Sequence, residues 1–326
     1  MKKITALLLA LFMLVGALAG CGKQNDTNQT DKLSIVTTIF PEYDWVREIL
    51  GDKADNAEIT MLLDNGVDLH SYQPTADDIV KISDCDLFIY VGGESDEWVE
   101  DALRNAANRN MKVINLLEVL GDSVKTEEIV EGMQEEEHED AEEHEHEEEV
   151  DEHVWLSLKN AKMLVRVISK ALQELDPNNK DIYAANADAY VKKLSALDAE
   201  YQTAVDAASN KTILFGDRFP FRYLVDDYGL RYYAAFVGCS TETEAGFETI
   251  SFLAKRVDEL KLPCVLTIEG AQHKIAETVV RNTTAKNQRV LTMDSMQSTT
   301  SKDVKNGTTY LSVMEKNLSV LKEALR

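Results

Sequence analysis

Two isolated histidines and two isolated aspartates fall where predicted strands give way to loops. His70 stands in DNGVDLHSYQPTADD and His153 in DEHVWLSL, while Asp217 stands in LFGDRFPFRY and Asp294 in LTMDSMQS. Two come from each half of the chain, so a cleft between halves can gather all four. Two imidazoles with one or two carboxylates suit Zn2+ in four-coordinate geometry, at about 2.0–2.2 Å. Taken singly, His70 reads as a surface histidine, and Asp217 and Asp294 as helix caps or turn residues. Only the set suggests a metal. His273, in GAQHKIAETV, reads as a helix-surface residue. A zinc hydrolase would need a general base as well. There is no His-Glu-x-x-His or Gly-x-Ser-x-Gly stretch, and Glu269 in TIEG is the one candidate base.

A second cluster of ligating residue types precedes His153. Four of the 6 histidines lie between His138 and His153, in HEDAEEHEHEEEVDEH. The segment 127–152 holds 16 of the 58 acidic residues and no Lys or Arg. Such composition predicts a solvated, disordered loop. Disorder is compatible with chelation: His138, His144 and His146 among dense carboxylates can gather Zn2+ beside His153. Formal net charge is −24, yet outside this segment 34 basic residues face 42 acidic ones, an ordinary balance. The acidity is a local device. It excludes nucleic acid as a partner, whose phosphates it would repel, and suits cations.

The elements that must position these residues alternate. Strands are expected at 33–38, 57–62, 86–93 and 112–116. Helices are expected at 42–50, after a Thr75 cap with Asp78 in the capping-box place, and at 96–108. Beyond the acidic segment come helices 157–175, ended by Pro177, and 180–208. The latter lacks Gly and Pro and carries Tyr183, Tyr190, Leu194, Leu197 and Tyr201 on a three-to-four spacing. The second half repeats the logic, with strands at 212–216, 231–236, 264–269 and 289–293 and helices at 219–228, 245–260, 272–284 and 308–325. The pattern predicts an α/β fold of two similar (β/α)4 domains, with four-stranded, mainly parallel sheets joined by a long rigid helix. The expected boundaries are 32–158 for the N-terminal domain, 159–209 for the helical connection and 210–326 for the C-terminal domain. Ligands in such folds bind beyond the carboxyl ends of strands, here in the interdomain cleft. A long connecting helix resists hinge opening, so local loop movement is expected at the site.

The chain opens MKKITALLLALFMLVGALAGCGK: a basic start, an apolar run and a small-residue end, which together read as an export signal over residues 1–21. The Leu-Ala-Gly-Cys ending resembles a bacterial lipobox and makes Cys21 the lipidation site. Residues 22–31 form a polar tether with a reach of about 17 Å. The expected location is extracytoplasmic, anchored to the bacterial cell membrane by lipid. Of the other cysteines, Cys239 and Cys264 fall in or beside strands of one half and can pair, while Cys85 reads as a buried small hydrophobe.

The stretches DLHSYQPTADDIVKISDCDLFIYVGG, DEHVWLSLKNAK and GTTYLSVMEKNLSVLKEAL, in this order, resemble the zinc/manganese-type ABC transporter solute-binding lipoproteins. The likeness covers nearly the whole chain from Leu33. It implies a metal held between two α/β domains, with His70 and His153 as first and second ligands and Asp294 as the fourth. The family's third ligand, His or Glu, falls on Arg218, which cannot ligate, so Asp217 becomes the tentative third. The resemblance implies a non-enzymatic receptor, a monomer, that delivers Zn2+ to an ABC permease with its ATPase. Mn2+ is the alternative cargo. A surface adhesin or metal-buffering lipoprotein without a transport role is the alternative of another class. Imidazole richness favours zinc, since Mn2+ prefers carboxylate and water.

Overall fold

In β1 (Leu33–Thr37) and β3 (Leu87–Tyr90), short runs of apolar residues are buried on both faces, as parallel central strands require. They lie in the middle of a four-stranded parallel sheet of order β2-β1-β3-β4, with β2 at Ala57–Met61 and β4 at Lys112–Asn115. Leu33 pairs with Ala57, Ile35 with Leu87, and Leu87 with Lys112. The order in which strands are added reverses between β1 and β3, the switch point beyond whose strand ends such parallel sheets hold their ligands. The computed structural model describes residues 32–134, 149–240, 244–270 and 273–326. Cys21, the export signal, the tether and His138, His144 and His146 lie outside the described residues.

The C-terminal half is also parallel but more broken. Strand β5 (Thr212–Leu214) pairs with β7 (Arg231–Tyr233), and β9 (Cys264–Thr267) with β10 (Arg289–Thr292). A single bridge from Phe215 to Leu266 links the two pairs. The strand expected at 231–236 is split. The Ala235 N–H donates to the Asp217 carbonyl at 3.0 Å, and the chain then forms β8 (Phe236–Val237) against β6 (Arg218–Phe219). This two-residue pair lies next to the site described below.

Helix signals read from the sequence match the structure closely. The helix Ala76–Asp84 starts at a capping box, with Thr75 Oγ1 accepting from Asp78 N and Asp78 Oδ2 accepting from Thr75 N. The helix Leu158–Leu175 is capped by Ser157, whose hydroxyl accepts from Asn160 N at 3.0 Å. The connecting helix spans Lys180–Ala207, 28 residues or about 42 Å. Its buried stripe, Tyr183, Ala187, Tyr190, Leu194, Leu197, Tyr201 and Val205, recurs every three to four residues. Tyr201 donates to the Met314 carbonyl at 2.6 Å and so ties the helix to the C-terminal helix Tyr310–Ala324. One apolar core runs from Ile35 on β1 through this helix to Met293, and a smaller one gathers Leu214, Val265 and Val279. Residues Leu33–Arg326 form one compact unit. Among the described residues, no helix is long and apolar enough to cross a membrane.

Two expectations are corrected. The acidic segment is not a free loop from 127 to 152. A bridge between Thr126 and Val150, with Glu127 N donating to Glu149 O and Asp151 N to Lys125 O, pins its two ends together. Asp151 and Glu152 are buried. The three described cysteines are all free thiols, so Cys239 and Cys264 are unpaired; Cys264 begins β9 inside the core, and Cys239 lies in the cleft. Cys85 is buried, and its thiol donates to the Ile82 carbonyl, in keeping with a small core residue.

Candidate metal centre

His70 sits in a single 3-10 turn, Leu69–Ser71, beyond β2. Asp68 caps the turn by accepting from the His70 N–H at 3.0 Å. The imidazole Nδ1 lies 2.9 Å from Ser95 Oγ and 3.4 Å from Glu152 Oε2. Ser95, in the 3-10 turn Glu94–Asp96 after β3, is held in turn by its N–H donating to Glu152 Oε1 at 2.9 Å. His153 is fully buried, with Trp155 5.2 Å away ring to ring. Its backbone N–H and its Nδ1 both meet Asp151 Oδ1, at 2.9 and 3.1 Å. An ionised carboxylate only accepts, so Nδ1 of His153 carries the proton. The oxygens around His70 Nδ1 favour the same tautomer.

Both Nε2 atoms are therefore left with lone pairs, and they face each other across 3.2 Å. Two lone pairs cannot form a hydrogen bond. Two imidazoles on one tetrahedral Zn2+, each at about 2.0–2.1 Å, would stand about 3.3 Å apart. The observed spacing matches that edge. A proton can take the metal's place, and the electrostatics show where it sits. Burial, then the charge of His153, pulls the His70 pKa down to about 3 against the attraction of Asp68. Burial also lowers that of His153, but Asp151, by charge and hydrogen bond together, outweighs it and leaves His153 above its ordinary value. Of the two rings, His153 is therefore the one that takes up an added proton first as pH falls.

Among the described residues, one group of metal-ligating side chains converges: His70, His153 and Cys239, with one donor atom from each within 4.8 Å of the other two. Neither aspartate expected from the sequence is in this set. Asp217 Oδ1 accepts from Arg218 N at 3.0 Å, and Oδ2 accepts from Thr267 Oγ1 at 2.5 Å and Ile268 N at 3.3 Å. The carboxylate thus pins the end of β5 to the end of β9. His273 belongs to the same cluster, its Nδ1 3.2 Å from Thr267 Oγ1, and is not the bare helix-surface residue expected. Asp294 is half-buried beyond β10. Its Oδ1 accepts from Met296 N at 2.8 Å, and its backbone is clamped by both ends of the Asn317 amide. Burial pushes its carboxyl up.

Arg218, at the position that the resemblance assigns to a third ligand, does something else. Its Nη2 pairs with Asp68 Oδ2 and its Nη1 donates to the Ser240 carbonyl at 3.2 Å. It thereby joins the loop that carries His70 to the loop that carries Cys239. Asp151, Ser95, Glu152 and Cys239 were all missed in the sequence. For Cys239 there was one signal: a cysteine in VGCST, just past a strand in the half that otherwise lacked a third donor.

Sequence and fold comparisons agree on a single family. The pattern of the family described as zinc-uptake complex component A, periplasmic, matches residues 35–324. The chain is 33% identical over 324 residues to the zinc-binding lipoprotein AdcA of Streptococcus pneumoniae serotype 4, spanning 99% of this chain but 61% of that protein. It is 32% identical over 322 residues to the high-affinity zinc uptake system protein ZnuA of Bacillus subtilis, spanning 97% and 95%. In structure, the Zn(II)-bound ZnuA-like domain of S. pneumoniae AdcA aligns with a TM-score of 0.70 at 30% identity, over 90% of this chain and 99% of that one. The metal-dependent lipoprotein YcdH of B. subtilis aligns with a TM-score of 0.72 at 26% identity, over 90% and 99%. Matched over nearly its whole described length, the chain belongs to the family of periplasmic A components of zinc-uptake complexes.

Proposed function

We propose that this chain is an extracytoplasmic, lipid-anchored receptor that binds Zn2+ with high affinity and delivers it to an ABC permease driven by its ATPase. The carrying observation is the pair of Nε2 lone pairs held face to face at 3.2 Å by Asp151 on one side and by Ser95 and Glu152 on the other. Partners on the far ring nitrogen orient an imidazole ligand and raise its basicity. The lobes at 32–158 and 210–326, joined by 159–209, close on this pair as a monomer. Membership of a solute-binding family, and zinc in the names of both relatives above, support the cargo and the permease partner. The protein binds and does not catalyse. Glu269 is not free to act as a base: its oxygens accept from Ser295 N, Ser295 Oγ and Gln297 N.

The test is a competition titration of the chain from Gly22 onward with Zn2+ and Mn2+, beside a version lacking Gln134–Glu149. One tight zinc site that survives the deletion, with weaker sites lost, is the expected result. It would make His138, His144 and His146 gatherers of metal for the cleft. Loss of the tight site on deletion would place the receptor's function in the loop instead. A second expected outcome concerns Asp151. Asp151→Asn keeps an acceptor for the His153 N–H but removes the charge behind its ring. Zinc affinity should fall about 10–100-fold, as for other second partners of ligating histidines, with the thermal midpoint little changed. An unchanged affinity would mean that His153 does not bind the metal.

A further inference from the structure

The receptor reading leaves the C-terminal lobe without a donor in the cleft. We propose that Cys239 fills that place as a thiolate ligand, and that this sulfur selects Zn2+ over Mn2+. The proposal rests on the receptor reading and deepens it.

Four observations carry it. Cys239 alone among the described residues joins the two imidazoles in a group whose donor atoms lie within 4.8 Å of one another. It is a free thiol, not half of a disulfide. Its backbone is clamped at the site: the Cys239 N–H donates to Glu127 Oε1 at 2.8 Å, and Arg218 holds the next carbonyl, that of Ser240. Finally, Gly238 packs directly on the His153 ring. A Cβ there would come within 3.1 Å of His153 Cε1 and Nδ1 and within 2.9 Å of the Phe219 carbonyl. Glycine at 238 lets the backbone approach closely enough for the next side chain to reach the imidazole pair.

The two aspartates expected as C-terminal ligands have other partners. Asp217 ties strand ends together, and Asp294 Oδ1 accepts from Met296 N. Burial first, and then the charges of Glu127, Asp151 and Glu152, push the Cys239 thiol up, so the thiolate forms only as a cation binds. On binding, the Sγ–H bond breaks, the proton leaves to water and a metal–sulfur bond of about 2.3 Å forms. Thiolate is a soft donor that suits zinc, whereas manganese prefers carboxylate and water. Two imidazoles and one thiolate leave a fourth position open to water.

The test loads the chain from Gly22 onward, which contains the whole compact unit, with one equivalent of Co2+ as a spectroscopic stand-in for zinc. The expected result is a near-ultraviolet thiolate-to-cobalt charge-transfer band beside visible ligand-field bands. Cys239→Ser should lose the first and keep the second, and its preference for Zn2+ over Mn2+ should narrow by about tenfold or more, in keeping with the loss of the soft donor. Tight cobalt and zinc binding by the unaltered chain without the charge-transfer band would overturn the thiolate and leave the receptor reading intact. Absence of tight binding altogether would overturn both.

Discussion

Replacing His153 by alanine abolishes tight zinc binding, with a loss of more than about 100-fold in affinity. The size follows from position. Removing only the partner behind a ligating imidazole costs about 10–100-fold, and this change removes the donor itself. No neighbour can replace it: His70 already points at the same spot, and the Asp151 carboxylate is aimed at the far ring nitrogen. His70→Ala should behave alike. The His153 ring is fully buried between Trp155 and the Gly238 backbone, so the substitution also opens a small cavity. A stability loss of about 1–3 kcal/mol is expected, to be read separately by thermal unfolding of the metal-free protein. A chelator competition at equal folded fraction isolates the binding effect. Retained affinity in both alanine variants would remove the imidazole pair from the site.

Acid should weaken zinc binding through one imidazole, not two. A ligating imidazole must be unprotonated. His70 has a pKa near 3 and stays neutral throughout the range of interest. His153 lies above the ordinary value of about 6.5. Its raised value means that the metal-free protein holds a proton there below that point and none above it. The His153 contribution to affinity is therefore fullest above its raised value and declines as pH falls through it, approaching about tenfold per pH unit, on top of the steady dependence that loss of the Cys239 proton adds across the whole range. Between roughly pH 6.5 and 5 this amounts to at most about thirtyfold from His153 alone. The groups that face the ring and set this behaviour are Asp151, Asp68, Glu127, Glu152, Arg218 and His70. Calorimetry in buffers of different ionisation enthalpy counts the protons. Zinc should release more protons per site at pH 5.5 than at pH 8.5, by up to about one. A difference near two would mean that His70 also titrates, and no difference would mean that His153 is not a ligand.

The histidine pair could be read from the sequence because its surroundings leave strong local marks. His70 precedes a capping box at Thr75 and Asp78, and His153 precedes the Ser157 cap of a long amphipathic helix. The connecting helix was legible for a similar reason: its apolar stripe keeps one period over 28 residues, and no Gly or Pro interrupts it. The third side chain of the converging cluster was not legible. Adjacency to a strand end favoured Asp217, but which side chain enters the cleft is decided by the pairing of β6 with β8. Each of these has only two residues, too few to show any period. Composition also misled at the acidic segment. Glu127, Asp151 and Glu152 belong by sequence to a solvated run, yet their carboxylates meet Cys239 N, His153 Nδ1 and Ser95 N in the wall of the site. A count of charges cannot distinguish an acid that faces water from one that orients a ligand.

The most direct measurement is the position of zinc itself. Crystals of the chain loaded with one equivalent of Zn2+, with data collected on both sides of the zinc absorption edge, would show it as one anomalous peak. The predicted peak lies between the two rings, about 2.0–2.1 Å from Nε2 of both His70 and His153. A sole peak at Asp217, at Asp294 without the imidazoles, or among His138, His144 and His146 would contradict the assignment of the metal to this pair.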